Sequence, residues 1–121
     1  MRFVDDRETA LQVGYEATDW TEKPDFDRYV AALEGWTVRL MVRGNEPVGT
    51  AYTQGAEFHV SIRPEWRGLW ATRSVLKALI QRPLSITRVT PGHEHVNGLL
   101  ERLGFEHRGD GLFVKEDPHG H

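Results

Sequence analysis

From Trp36 to Arg43 the chain alternates. Trp36, Val38, Leu40 and Val42 fall on one side of an extended backbone, with Thr37, Arg39, Met41 and Arg43 between them. Period two is the signature of a half-buried strand. "GNEP" supplies turn residues, and "VGTAYTQ" reads as the returning strand of a hairpin that Gly55 breaks. The alternation resumes with Phe58, Val60 and Ile62 on one face and Glu57, His59 and Ser61 on the other, and Pro64 ends it. Upstream, "RFV" reads as a short first strand, and residues 6–17 as a helix weakened by Gly14. A second helix is expected from Pro24 to Glu34: Asp25 and Asp27 suit its positive end, Phe26, Val30 and Leu33 share a face, and Gly35 stops it. Downstream, a helix is expected from Gly68 with Leu69, Leu76, Leu79 and Ile80 inward and Arg73 and Lys77 on another face, ending at Pro83. "LSITRVT" is a strand. After the Pro91-Gly92 turn, "HEHVNGLLERLG" carries Val96, Leu99, Leu100 and Leu103 as one apolar stripe up to Gly104. "FEHRGDGLFVKE" closes as two short strands around a Gly-Asp-Gly turn. The order β-α-α-β-β-β-α-β-α-β-β predicts an α/β protein with a mixed sheet of six or seven strands flanked by helices.

Composition narrows the function classes. A chain of 121 residues suits one core and is short for two ordinary domains. We expect a single domain over residues 1–116 and a polar tail over 117–121. With 15 Lys and Arg against 18 Asp and Glu, the net charge of −3 draws in neither nucleic acid nor an anionic membrane. No cysteine is present, so disulfides, thiolate metal sites and a thiol nucleophile are excluded. The first residues lack the apolar run of a signal peptide, and no segment approaches the length needed to span a bilayer, so a cytoplasmic protein is expected.

The candidate chemistry lies in "EFHVSIRPEWRGLWATRSVLKAL", where a strand meets a proline, an Arg-Gly pair and a basic amphipathic helix. Amides at a helix start, with the helix dipole behind them, hold phosphates, and glycine there lets the phosphate come close. Pro64, Arg67 and Gly68 of "IRPEWRGLWAT", the later "ERLGF" from Glu101 to Phe105, and the element order resemble the GCN5-related N-acetyltransferases. The likeness can be laid along nearly the whole chain and is most specific from Gly49 to Phe113. Shortness and Trp70 are also similar to the small proteins of this type from tailed bacteriophages. The resemblance implies a single-domain GNAT-like fold and acetyl-CoA (coenzyme A) as co-substrate, with transfer of an acetyl group to an amine by direct attack in a ternary complex. It places the cofactor at Val60, Ser61 and Ile62 through main-chain groups, and at Arg67, Gly68, Leu69, Trp70, Ala71, Thr72 and Arg73. It makes Glu57 and His59 candidates for the base that removes a proton from the ammonium group.

Two departures accompany the likeness. Trp70 and Thr72 stand where the family repeats glycine, and Leu100 stands four residues before Gly104, where many members carry a tyrosine that protonates the leaving thiolate. The usual Asn at that helix start aligns with His93, a candidate replacement donor, and Asn97 lies one turn further on. These departures motivate the alternative of a catalytically inactive GNAT-like scaffold or phage protein that binds a host or virion protein. Partners are then an amine-bearing small molecule or a protein, with the oligomeric state open and a homodimer included. The spacing of His93 and His95 is not that of two ligands on one helical face, and no native metal is expected. Trp66 and Trp70, four apart, are expected to cover one another at the helix start, and Arg39, Arg43, Arg63, Arg67 and Arg73 to form either a solvated face or a site for an anionic partner.

Overall fold

The computed structural model describes residues 1–18, 20, 22–80, 84–89 and 96–116. Twelve elements follow in order. They are β1 (Arg2–Val4), α1 (Arg7–Ala17), α2 (Phe26–Ala32), β2 (Thr37–Arg43), β3 (Glu46–Gln54), β4 (Glu57–Ile62), a 3-10 turn (Pro64–Trp66), α3 (Arg73–Leu79), β5 (Leu84–Arg88), α4 (Asn97–Arg102), β6 (Glu106–His107) and β7 (Leu112–Glu116). The short 3-10 turn apart, this is the order the periodicities predict. The strands form one seven-stranded mixed sheet in the order β1-β2-β3-β4-β5-β7-β6, with β4 and β5 parallel at Glu57 and Ile86 and antiparallel pairing at β1-β2, β2-β3, β5-β7 and β6-β7. Among the described residues no helix is long and apolar enough to cross a membrane.

Backbone contacts divide the chain into two compact units, Met1–Gln54 with Val60–Arg67, and Gly55–His59 with Gly68–His121. In the first, Ala10, Leu11, Tyr29, Val38, Leu40, Val42 and Tyr52 form a buried cluster. Asp6 caps α1, its carboxylate accepting from Thr9 N at 3.2 Å and Thr9 Oγ1 at 2.8 Å. α2 begins at Phe26 rather than Pro24, and Tyr29 is its buried residue, with Phe26, Val30 and Leu33 packed around that cluster. β2 is covered on both faces near its end: Leu40 and Val42 belong to that cluster, while Met41 between them is buried outside it, and the pairing with β3 shifts register between Met41 and Val42.

In the second unit Phe58 and Phe105 meet edge to face, 6.3 Å between ring centroids, and Leu76, Leu79, Leu100 and Phe113 are nearly inaccessible. Of the expected stripe, Leu100 on α4 and its flanking residues Val96 and Leu103 are buried, and Leu99 is half-buried. At the closing turn Gly109, Asp110 and Gly111 all have positive φ. Gly111 is obligatory for a second reason, since a Cβ there would lie 2.1 Å from Val89 O. Its carbonyl accepts from Val89 N at 2.7 Å, and Arg88 Nη1 donates to Asp110 O at 2.6 Å.

α3 departs most from expectation. It starts at Arg73, five residues after Gly68, and Leu69 is 63% exposed instead of lying on its inner face. Pro64 opens a 3-10 turn that ends at Arg67, and Gly68 at φ +88° reverses the chain. A helix cannot run through a left-handed residue, so the ladder begins only after Thr72. Trp66 and Trp70 therefore share no helix face. Trp66 lies under the Arg43 guanidinium, 5.7 Å from its ring centroid, while Trp70 is buried.

Candidate functional site

The segment from Glu57 to Arg73 carries every described residue expected to bind or react. Glu57 and His59 are next-but-one on β4, which puts their side chains on one face, and His59 Nε2 bonds Glu57 Oε2. Both are partly exposed, so the imidazole is held by a carboxylate while still reached by solvent. His93 lies outside the described residues, as do Pro83, the Pro91-Gly92 turn and the tail. Among the described residues no group of three or more His, Asp or Glu side chains is placed to hold a metal ion.

Arg67 does more than supply charge. Its Nε donates to Ile62 O at 3.2 Å and its Nη2 to Ala17 O at 2.8 Å, tying the end of β4 to the last residue of α1. Gly68 has nothing within 4 Å of the position its Cβ would occupy, so this turn is open at its surface. Leu69 faces solvent, Trp70 is 4% exposed with its indole N–H unpartnered, and Ala71 is half-buried. Thr72 caps α3, its Oγ1 accepting from Val75 N at 3.3 Å. The first intrahelical bond is Leu76 N to Thr72 O at 3.0 Å, so the amides of Arg73 and Ser74 precede the ladder. Of the five arginines expected on one side, Arg39 lies over Phe3, Arg43 over Trp66, and Arg63 pairs with Glu65 at 2.9 Å. Arg39, Arg43, Arg63 and Arg67 each have their own neighbours. Leu100, at the tyrosine position, is 1% exposed.

Sequence reasoning missed a chain of hydroxyls in the first unit. Tyr29 OH and Tyr52 OH are 2.6 Å apart, Tyr52 OH donates to Ser61 Oγ at 3.3 Å, Ser61 Oγ lies 2.8 Å from Thr18 Oγ1, and Thr18 Oγ1 donates to Gly14 O at 2.7 Å. Burial pushes both tyrosine hydroxyls above their ordinary range. The neighbouring Tyr52 raises Tyr29 further, while the contacts with Ser61 and Tyr29 partly offset the rise at Tyr52. Gly14 was the available signal, because a mid-helix glycine often marks a close approach. A Cβ there would lie 2.0 Å from Tyr52 OH and 2.6 Å from Tyr29 OH.

No family model matches the sequence, and no curated protein matches it significantly. Solved structures do match. A ribosomal-protein-alanine N-acetyltransferase from Brucella melitensis superposes with a TM-score of 0.69 at 18% identity, over 94% of this chain and 97% of that one. A spermidine N-acetyltransferase chimera involving Vibrio cholerae gives 0.71 at 13% identity, over 97% and 96%. AAC(6')-Ib in complex with paromomycin and acetyl-CoA gives 0.65 at 17% identity, over 94% and 92%. Identities this low speak for architecture alone, and on that architecture they agree: the chain has the fold of the GCN5-related N-acetyltransferases.

Proposed function

We propose that the protein is an acetyl-CoA-dependent N-acyltransferase that works in the cytoplasm on an amine-bearing small molecule or protein. The observation that carries this reading is the acetyltransferase fold together with an open Arg-Gly turn at the end of β4. Acetyl-CoA, when bound, supplies an activated acetyl thioester, whose transfer to an amine forms a C–N bond as the C–S bond breaks. The residues present fit such a ligand. The turn at Gly68 has room, and the amides of Arg73 and Ser74 are not used by the helix. Val60, Ser61 and Ile62 would hold the extended arm through main-chain groups, and the segment Arg67 to Arg73 the pyrophosphate. His59, held by Glu57, takes the proton that the ammonium must lose before its nitrogen can attack. No cysteine is present to form an acyl-enzyme, which favours direct transfer.

Isothermal titration of the folded protein with acetyl-CoA tests this. Saturable heat in the micromolar range is expected, and silence at high micromolar concentration overturns it. Turnover can then be followed by the thiol that coenzyme A releases, with no background because the chain has none of its own.

Leu100, buried where a proton donor is usual, favours a second reading in which the fold serves as a scaffold, phage-derived or not, that binds a protein partner. On that reading acetyl-CoA gives neither heat nor turnover.

A further inference from the structure

The hydroxyl chain has a fixed direction. Thr18 spends its one hydroxyl proton on Gly14 O, so in its bond to Ser61 it must accept and Ser61 must donate. Tyr52 donates to Ser61, so Tyr29 donates to Tyr52. Every proton points the same way, from Tyr29 through Tyr52, Ser61 and Thr18 to a backbone carbonyl. A chain that ends on a carbonyl cannot pass a proton on, which excludes a relay. It also leaves Ser61 with no proton to give, so Ser61 neither protonates a leaving group nor serves as nucleophile. Ser61 accepts one bond from Tyr52, and among the described residues no other group donates to its second lone pair. This conclusion survives even if the long 3.3 Å Tyr52 link is discounted, because the two shorter bonds alone fix Ser61 as the donor to Thr18.

The arrangement is built at a cost. α1 carries a glycine in its middle, and only its missing Cβ admits the two tyrosine hydroxyls. β3 carries a second glycine, Gly49, where a Cβ would lie 2.3 Å from Ser61 O. Gly14 thus makes room for the two tyrosine hydroxyls, and Gly49 for the Ser61 backbone on which the accepting hydroxyl is carried. Phenylalanine at 29 and 52 would fill a core without needing hydroxyl partners, yet both positions are tyrosine and both are buried.

We propose that Ser61 is a ligand-binding residue whose hydroxyl is held as an acceptor for a ligand N–H, and that Tyr52 is the positioning residue that holds it there. The inference rests on the acyltransferase reading, in which Ser61 belongs to the cofactor-binding stretch. The N–H belongs either to an amide of the coenzyme arm or to the acceptor amine.

The test compares wild type with Ser61→Ala, Ser61→Thr and Tyr52→Phe. Calorimetry gives Kd for acetyl-CoA, and released thiol gives KM and kcat with spermidine as amine probe. Ser61→Ala is expected to raise one of the two constants about tenfold, the size of one hydrogen bond to a polar or charged partner. A rise in acetyl-CoA Kd assigns the amide; a rise in KM for spermidine at unchanged acetyl-CoA Kd assigns the amine. Ser61→Thr restores the constant, and Tyr52→Phe raises the same one by a smaller factor. Wild type that binds acetyl-CoA with both constants unchanged in Ser61→Ala overturns the inference alone. Wild type that does not bind acetyl-CoA overturns the acyltransferase reading and this inference with it. A fall in Tm for Tyr52→Phe with both constants unchanged reduces Tyr52 to a packing role and overturns its part.

Discussion

Gly14 sets local preference against tertiary need at a single residue. Inside a helix, alanine is favoured over glycine by about 1 kcal/mol, so propensity alone predicts that Gly14→Ala stabilises. The two tyrosine hydroxyls at 2.0 and 2.6 Å from the new Cβ reverse the sign. We expect Gly14→Ala to cost about 1–3 kcal/mol, as overpacking does, measured by urea denaturation. The hydroxyls themselves make a second prediction. Tyr29 and Tyr52 hold their protons above the ordinary phenol range when folded, and ionise near pH 10 when unfolded. The folded state therefore binds more protons above about pH 10, and the stability these groups contribute is complete below that pH and lost above it. A group that ionises only in the unfolded state adds a slope of at most about 1.4 kcal/mol per pH unit there. Tyr29→Phe should flatten the dependence, seen as Tm against pH from 8 to 11. An unchanged slope would count against the burial of that hydroxyl.

At the scale of elements, Arg67 joins the end of α1 to the end of β4 through two carbonyls. Arg67→Ala should therefore lose about 1.5–3 kcal/mol of stability whether or not coenzyme A binds, which thermal and chemical melts would show. Loss of acetyl-CoA heat in that variant is informative only at a temperature where it remains folded. The same turn shows where local patterns stop being legible. The alternate residues Val38, Leu40 and Val42 of β2 and Phe58 and Ile62 of β4 are buried as their spacing predicts, because apolar spacing is a property of consecutive residues. The helix after Gly68 was placed too early because Leu69 fits the spacing of Leu76 and Leu79. Its true start is decided by the positive φ of Gly68 and the cap at Thr72. Trp70 likewise cannot be told from a rim aromatic by spacing, and its burial emerges only from packing.

On the scale of the whole molecule, the fold supplies a scaffold on which coenzyme A binding has a simple consequence. A ligand that binds only the native state stabilises it by about 2.7 kcal/mol at one hundred times its Kd, several degrees in Tm for a chain of this size. On the acyltransferase reading acetyl-CoA should produce that shift, and desulfo-coenzyme A most of it, since that reading assigns the contacts to the pyrophosphate and arm. A flat melt with both would favour the scaffold reading. By itself the sequence determined the element order, a sheet of six or seven strands and the Arg-Gly junction, because hydrophobic period, proline and glycine act between near neighbours. It placed Glu57 and His59 on one face of a strand for the same reason, though not the bond between them. Only the tertiary structure decided that Arg67 clamps two carbonyls and that Trp70 is buried. Only there do Gly14 and Thr18, toward the end of α1, meet Tyr29, Tyr52 and Ser61, since these lie on separate parts of the chain and the hydrogen bonds between them exist only once the first unit has folded.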